Sequence, residues 1–338
     1  MKELKFIQSC PDDTYYTWQV NLWLESLKEL GHSDKAISLI FTPKNRVFNE
    51  KWKVIEALYP EATFCYYKDE ENISPLLSVY IPTLRPYTLM RYFKDNPKSS
   101  NKAYFYCDAD ILFTKDFNLD KFQNDDVCYL SDTNSYINSD YFDNKVKDVM
   151  PSKLELYKTK DILEEMCNII GITREIAEKN KLNSGGAQYF LKNLDADFWK
   201  KVMNDCINIK VYLQGINKEF FESENKGFQS WCADMWSVLW NLWLRNQETK
   251  VVKELAFAWS TDPIKKLETH TILHNAGVTG KFIKEIPYFY KGTYHLGSNP
   301  LNDNHIDVVL NNEKSKLTCN WFYTNKLKEL QLKYNINY

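Results

Sequence analysis

Over the first 110 residues, short apolar runs alternate with segments of helical period, and that alternation restricts the chain to a small set of folds. Residues 4–9 read as a buried strand that stops at Cys10-Pro11-Asp12-Asp13. Residues 15–30 place Trp18, Leu22, Trp23, Leu27 and Leu30 on one helical face, closed by Gly31. Residues 35–42 and 63–67 read as further strands, with a helix over 49–58 between them. A helix follows Pro86 over 87–93, and residues 103–108 form another strand. This order predicts an α/β fold: a Rossmann-like, mostly parallel sheet with helices on both faces. In such sheets ligands bind beyond the carboxyl ends of the strands.

The middle, residues 134–180, is polar and reads as loops with one or two helices. Ser184-Gly185-Gly186 reads as a turn into a strand over 187–191, and residues 230–244 as an aromatic helix. Short strands return from Val251, and a polar helix near 325–333 closes the chain. No repeat or low-complexity linker interrupts it, so one continuous unit over residues 1–338 is expected.

Charge and cysteine usage narrow the function classes. The net charge is −2, from 43 Lys+Arg against 45 Asp+Glu, which disfavours a surface built to track nucleic-acid phosphates. The 8 cysteines form no Cys-x-x-Cys pair. The first ten residues carry charges and no signal-peptide core, and no apolar run approaches a membrane span. Free thiols in a reducing, cytoplasmic setting are therefore expected. Aromatics reach 15% of the chain; most belong in a core, and some could stack on a sugar face.

The sharpest local signal is Ala103-Tyr104-Phe105-Tyr106-Cys107-Asp108-Ala109-Asp110-Ile111-Leu112-Phe113. An apolar strand delivers two carboxylates one residue apart, and an apolar run resumes. If the strand's alternation continues, Asp108 and Asp110 face the same way and can converge on a hard cation such as Mg²⁺ or Mn²⁺. Such a cation neutralises a diphosphate and improves it as a leaving group. An isolated Asp-x-Asp is usually a solvated turn; the apolar flanks set this one apart. Later, Thr271-Ile272-Leu273 leads into His274 beside Asn275-Ala276-Gly277. A histidine satisfied by a backbone partner would read the same way. Asp234 lies inside the apolar run Trp231-Cys232-Ala233-Asp234-Met235-Trp236, where a carboxylate needs a partner or a purpose, or serves the start of a helix.

Cys107-Asp108-Ala109-Asp110-Ile111-Leu112-Phe113 resembles the metal-binding motif of GT-A fold glycosyltransferases. The segment from Tyr80-Ile81-Pro82-Thr83-Leu84-Arg85-Pro86-Tyr87 to Phe93 is similar to one in hydroxyproline arabinosyltransferases and peptidyl-serine galactosyltransferases. Gln8-Ser9 and Tyr16-x-Trp18-Gln19 resemble the start of those proteins. The shared motifs are scattered from about residue 6 to 295, and the middle of the chain is unmatched. Those relatives work in the secretory pathway, of which this chain shows no sign.

The resemblance implies a UDP-sugar donor and a cation, Mn²⁺ or Mg²⁺, held by Asp108, Asp110 and His274. An imidazole ligand suits Mn²⁺ better than Mg²⁺; His270 and His295 are the weaker alternatives. It further implies that residues 1–130 bind the nucleotide sugar, while 131–338 form the acceptor side and the late metal and phosphate segment. Gln8 and Ser9 would contact base or ribose, and Arg85 the diphosphate or donor sugar. Asn183, in Asn183-Ser184-Gly185-Gly186, would lie beside the donor sugar, where a simple tight turn would look the same. Lys281, preferred over Lys291, would reach the phosphates as a point charge. Asp234 would act on the acceptor hydroxyl or position it, ahead of nearby Gln229.

The expected activity is hexosyl or pentosyl transfer to a glycan, protein or small molecule, with retention favoured at the anomeric carbon. Nucleic acid is the least comfortable acceptor. Two other readings stay open. One is a nucleotide-sugar-binding protein without turnover. The other is a metal-dependent nucleotidyltransferase, a class that commonly carries a glycine-rich phosphate loop absent from this sequence.

Overall fold

A computed structural model of the protein describes residues 2–335. Its strands are β1 (Leu4–Pro11), β2 (Ala36–Thr42), β3 (Thr63–Lys68), β4 (Ala103–Cys107), β5 (Ile111–Phe113), β6 (Cys128–Asp132), β7 (Gly185–Lys192), β8 (Thr249–Val251), β9 (Phe257–Trp259) and β10 (Ile272–His274). The chain divides into two compact units, each assembled from separate stretches.

One unit comprises Lys5–Lys68, Cys107–Leu119 and Glu254–Tyr338. Here β1, β2 and β3 pair in parallel, with Ile7 opposite Ile37 and Leu39 opposite Cys65. Every residue of β2 is buried, the signature of a strand covered on both faces. The helix Thr14–Glu29 follows β1, its first turn capped by the Asp13 carboxylate, which accepts from the Tyr15 N–H at 2.9 Å. A smaller sheet sets β10 antiparallel to β5 and parallel to β9. Trp18, Leu112, Leu273, Phe289, Tyr323 and Leu327 pack into one core beneath it. The closing helix is Cys319–Tyr334, longer than the sequence pattern indicated.

The other unit comprises Met1–Leu4, Asp69–Tyr106 and Asp120–Lys253. Its strands run β4–β7–β6 antiparallel, and β6 pairs with β8 in parallel. The 25-residue helix Ala196–Phe220 is its largest element, with the helices Leu84–Asp95 and Ala233–Leu244 packed against it. Ser237 Oγ donates to the Val202 carbonyl at 2.9 Å across that contact. Gly185 and Gly186 open β7 because nothing larger fits. A Cβ on Gly185 would meet the Ser131 carbonyl oxygen at 2.3 Å, and one on Gly186 would meet Tyr189 Oη at 2.7 Å.

The α/β class read from the sequence holds. One local expectation is corrected: β4 ends at Cys107, so Asp108 and Asp110 are not successive same-face residues of a strand. They lie in the tight connection from β4 to β5, and a turn rather than the pleat brings them together. All eight cysteines are free, and among the described residues no helix is long and apolar enough to cross a membrane.

Candidate functional site

Asp108, Asp110 and His274 converge, with one ligand atom from each lying within 4.8 Å of the others. His274 Nε2 is 3.6 Å from Asp108 Oδ2 and 3.4 Å from Asp110 Oδ1. Ligands about 2.1 Å from an octahedral cation stand roughly 3 Å apart at right angles, so the cluster is close to the size such an ion needs. Two oxygens and an imidazole nitrogen are also the donor types that suit Mn²⁺ or Mg²⁺.

Sheet pairing fixes these groups. His274 ends β10 opposite Ile111 of β5, one residue beyond Asp110, and beside Trp259 of β9. The Asn275 N–H donates to the Asp110 carbonyl at 3.0 Å and ties the acidic turn to the strand end. The imidazole stacks on Trp259 with centroids 5.7 Å apart and planes 15° apart, while Phe257 meets it edge-on at 5.3 Å. These rings hold the orientation of Nε2.

Asp110 is 5% exposed, and Lys291 Nζ contacts its Oδ2. Burial pushes the carboxyl's pKa up, but the Lys291 ammonium and His274 overcome that and hold it well below the usual carboxylate range. Tyr15 shares the neighbourhood: burial raises its phenol, and the Asp110 charge raises it further.

Of the two late lysines, Lys291 is the one on the acidic cluster. Lys281 pairs instead with Asp303 at 3.7 Å. Gln8 is fully buried and Ser9 is 5% exposed, with Gln8 opposite Ser38 inside the parallel sheet.

In the other unit, Arg85 and Asp234 come together as an ion pair. Tyr80 completes the group: its hydroxyl lies 2.6 Å from Asp234 Oδ1 and accepts from the Asp234 N–H at 3.2 Å. Asp234 occupies the first turn of Ala233–Leu244, so the helix terminus also favours its charge. Asn183 closes a short turn, and its carbonyl accepts from Thr249 Oγ1 at 3.1 Å. Trp231 is 56% exposed, its ring 6.3 Å from that of Tyr136.

Sequence reasoning did not single out Tyr80, Trp259 or Tyr15, and it ranked Lys291 behind Lys281. Tyr80 opens a segment already marked by Arg85. The others acquire their place only through strand pairing and chain return.

No family model and no curated protein matches this chain. Solved structures similar to it include the bifunctional glycosyltransferase WbbM, at 11% identity and TM-score 0.43, over 96% of this chain and 52% of that one. The chain thus spans about half of WbbM. The galactosyltransferase LgtC, in complex with donor and acceptor sugar analogues, is similar at 12% identity and TM-score 0.42, over 83% of this chain and 90% of that one. Mouse xyloside xylosyltransferase 1, in apo form, is similar at 11% identity and TM-score 0.40, over 82% and 99%. Likeness at this level carries no functional weight; the chemistry rests on the residues themselves.

Proposed function

We propose that this protein is a metal-dependent GT-A glycosyltransferase that moves a hexose or pentose from a UDP-sugar to an acceptor hydroxyl. The observation that carries the reading is the convergence of Asp108, Asp110 and His274 at the size and chemistry of a divalent cation site. A cation bound there supplies Lewis-acid stabilisation of the charge that grows on a departing diphosphate. Asp108, Asp110 and His274 would hold it, with Trp259 keeping the imidazole in place. Lys291 adds a fixed positive charge beside the same cluster, where a developing diphosphate charge is best stabilised. Lys281 is the second cation in this scheme, because it must leave Asp303 before it can reach a phosphate.

Asp234 is assigned to the acceptor, taking a proton from its hydroxyl or orienting it. Arg85 and Tyr80 hold that carboxylate, so Arg85 acts through Asp234 rather than on the donor. Asn183 is placed beside the donor sugar on the resemblance of its glycine-flanked segment. Gln8 and Ser9, buried within β1, are assigned to the floor beneath the nucleotide. Retention at the anomeric carbon is the stereochemistry we favour, because the His274-Gly277 segment resembles that of retaining enzymes.

The test is hydrolysis of a nucleotide-sugar panel with Mn²⁺ present or chelated. Release of UDP that needs both Mn²⁺ and Asp110 is the expected result. Release of pyrophosphate from a nucleoside triphosphate instead would make the protein a nucleotidyltransferase. Tight binding of UDP-sugars without any release, in the presence of candidate acceptors, would make it a binding protein.

A further inference from the structure

We propose that Lys291 is a built-in counter-ion that makes the acidic cluster take up a divalent cation and a nucleoside diphosphate together, and the cation alone only weakly. The inference rests on the metal-site reading above. Its basis is the division of labour between the two oxygens of Asp110. Oδ1 faces His274 Nε2 at 3.4 Å, whereas Oδ2 carries the Lys291 ammonium. Lys291 therefore leaves the inner side of the cluster open and keeps its charge in contact with one of the ligands. Its stem runs past the turn after His274, where a Cβ on Gly277 would stand 3.8 Å from Lys291 Cε. With its side chain 16% exposed, the ammonium is held at the cluster rather than loose in solvent.

The charge count gives the consequence. The Lys291 ammonium adds one fixed positive charge beside the two carboxylates. That charge repels an incoming divalent cation and attracts the diphosphate that follows. Without Lys291 the cation meets less repulsion and the diphosphate less attraction. Lys291 thus opposes the first ligand and favours the second, and in a largely buried site the effect is on the order of ten-fold or more in affinity. A lysine present only to permit burial of Asp110 would alter stability without shifting the two affinities in opposite directions.

The test is Mn²⁺ titration followed by electron paramagnetic resonance, with and without UDP, on the wild type, Lys291→Met and Lys291→Arg. Melting curves check that each variant is folded. The wild type should bind Mn²⁺ at least about ten-fold more tightly when UDP is present. Lys291→Met should bind Mn²⁺ alone about ten-fold more tightly than the wild type, and its Mn²⁺ complex should bind UDP about ten-fold more weakly. Lys291→Arg, which keeps the charge, should follow the wild type. Unchanged or weaker binding of Mn²⁺ alone by Lys291→Met overturns the proposal. Should that variant not fold, wild-type Mn²⁺ affinity that ignores UDP overturns it equally. Mn²⁺ binding that survives Asp108→Ala refutes the metal site itself, a result distinct from both.

Discussion

Asp110 and Asp234 are both buried carboxylates in contact with a cationic side chain, yet their surroundings differ in kind. Asp234 lies against the Arg85 guanidinium and the Tyr80 hydroxyl, both of which suit an anion. Asp110 has Lys291, but it also shares its imidazole neighbour with a second carboxylate, Asp108. A carboxylate ringed by donors needs no cation. Two carboxylates converging on one imidazole are a donor set that a divalent cation fits. Burial of an acid is therefore a poor guide to its task, and the sign of its neighbours is a better one.

The largest effect that can break this contrast is Asp110→Ala. Mn²⁺-dependent release of UDP should fall by about a thousand-fold, because the charge on the leaving group loses its preorganised stabilisation. Calorimetric titration should show Mn²⁺ binding lost as well. Asp234→Ala should instead spare Mn²⁺ binding and cost about 3 kcal/mol of folding stability, since it removes the carboxylate that the half-buried Arg85 guanidinium contacts. Chemical denaturation measures that loss, and disappearance of Mn²⁺ binding in this variant would dissolve the distinction between the two acids.

A smaller effect should follow from Trp259→Leu. Removing the ring that stacks on His274 frees the imidazole, and Mn²⁺ affinity should drop about ten-fold while the fold persists. An unchanged affinity would mean that β10 alone orients His274.

The smallest expected effect concerns a third acid, Glu25, which like Asp234 is surrounded by donors. Burial raises its pKa, but hydrogen bonds from Lys333, Tyr334 and Tyr59 outweigh that and bring it below the ordinary value of 4.5. A depressed folded value means that Glu25 stabilises the protein above pH 4.5 and that this contribution fades as pH falls through the folded value. Stability curves of wild type and Glu25→Gln should therefore converge in acid and separate above it. A gap that widens on acidification would contradict the assignment.

Much of the acidic cluster was legible because its parts are local. Asp108 and Asp110 adjoin an apolar strand, and His274 ends another; the strand that brings them together, β5, is only Ile111–Phe113 and follows the acids directly. The choice between Lys281 and Lys291 was not legible. Between them the chain forms a hairpin, with Phe282 opposite Pro287 and Ile283 opposite Ile286. Its tip is Lys284 and Glu285, both at positive φ, where Asn-Gly or Asp-Gly is the usual signal. Without that signal the reversal that carries Lys281 away and returns Lys291 leaves no mark in the sequence. The helix Ala196–Phe220 is a different case. Its Asp195 cap and the spacing of Trp199, Val202, Met203, Cys206, Ile209, Leu213 and Ile216 are a plain helical signal that the reading passed over.

The most direct measurement is anomalous diffraction at the manganese edge from crystals grown with Mn²⁺ and UDP. The account predicts a peak about 2.0–2.3 Å from an oxygen of Asp108, an oxygen of Asp110 and Nε2 of His274, with diphosphate oxygens completing the shell. A peak elsewhere, or UDP bound with no peak between these three residues, would contradict it.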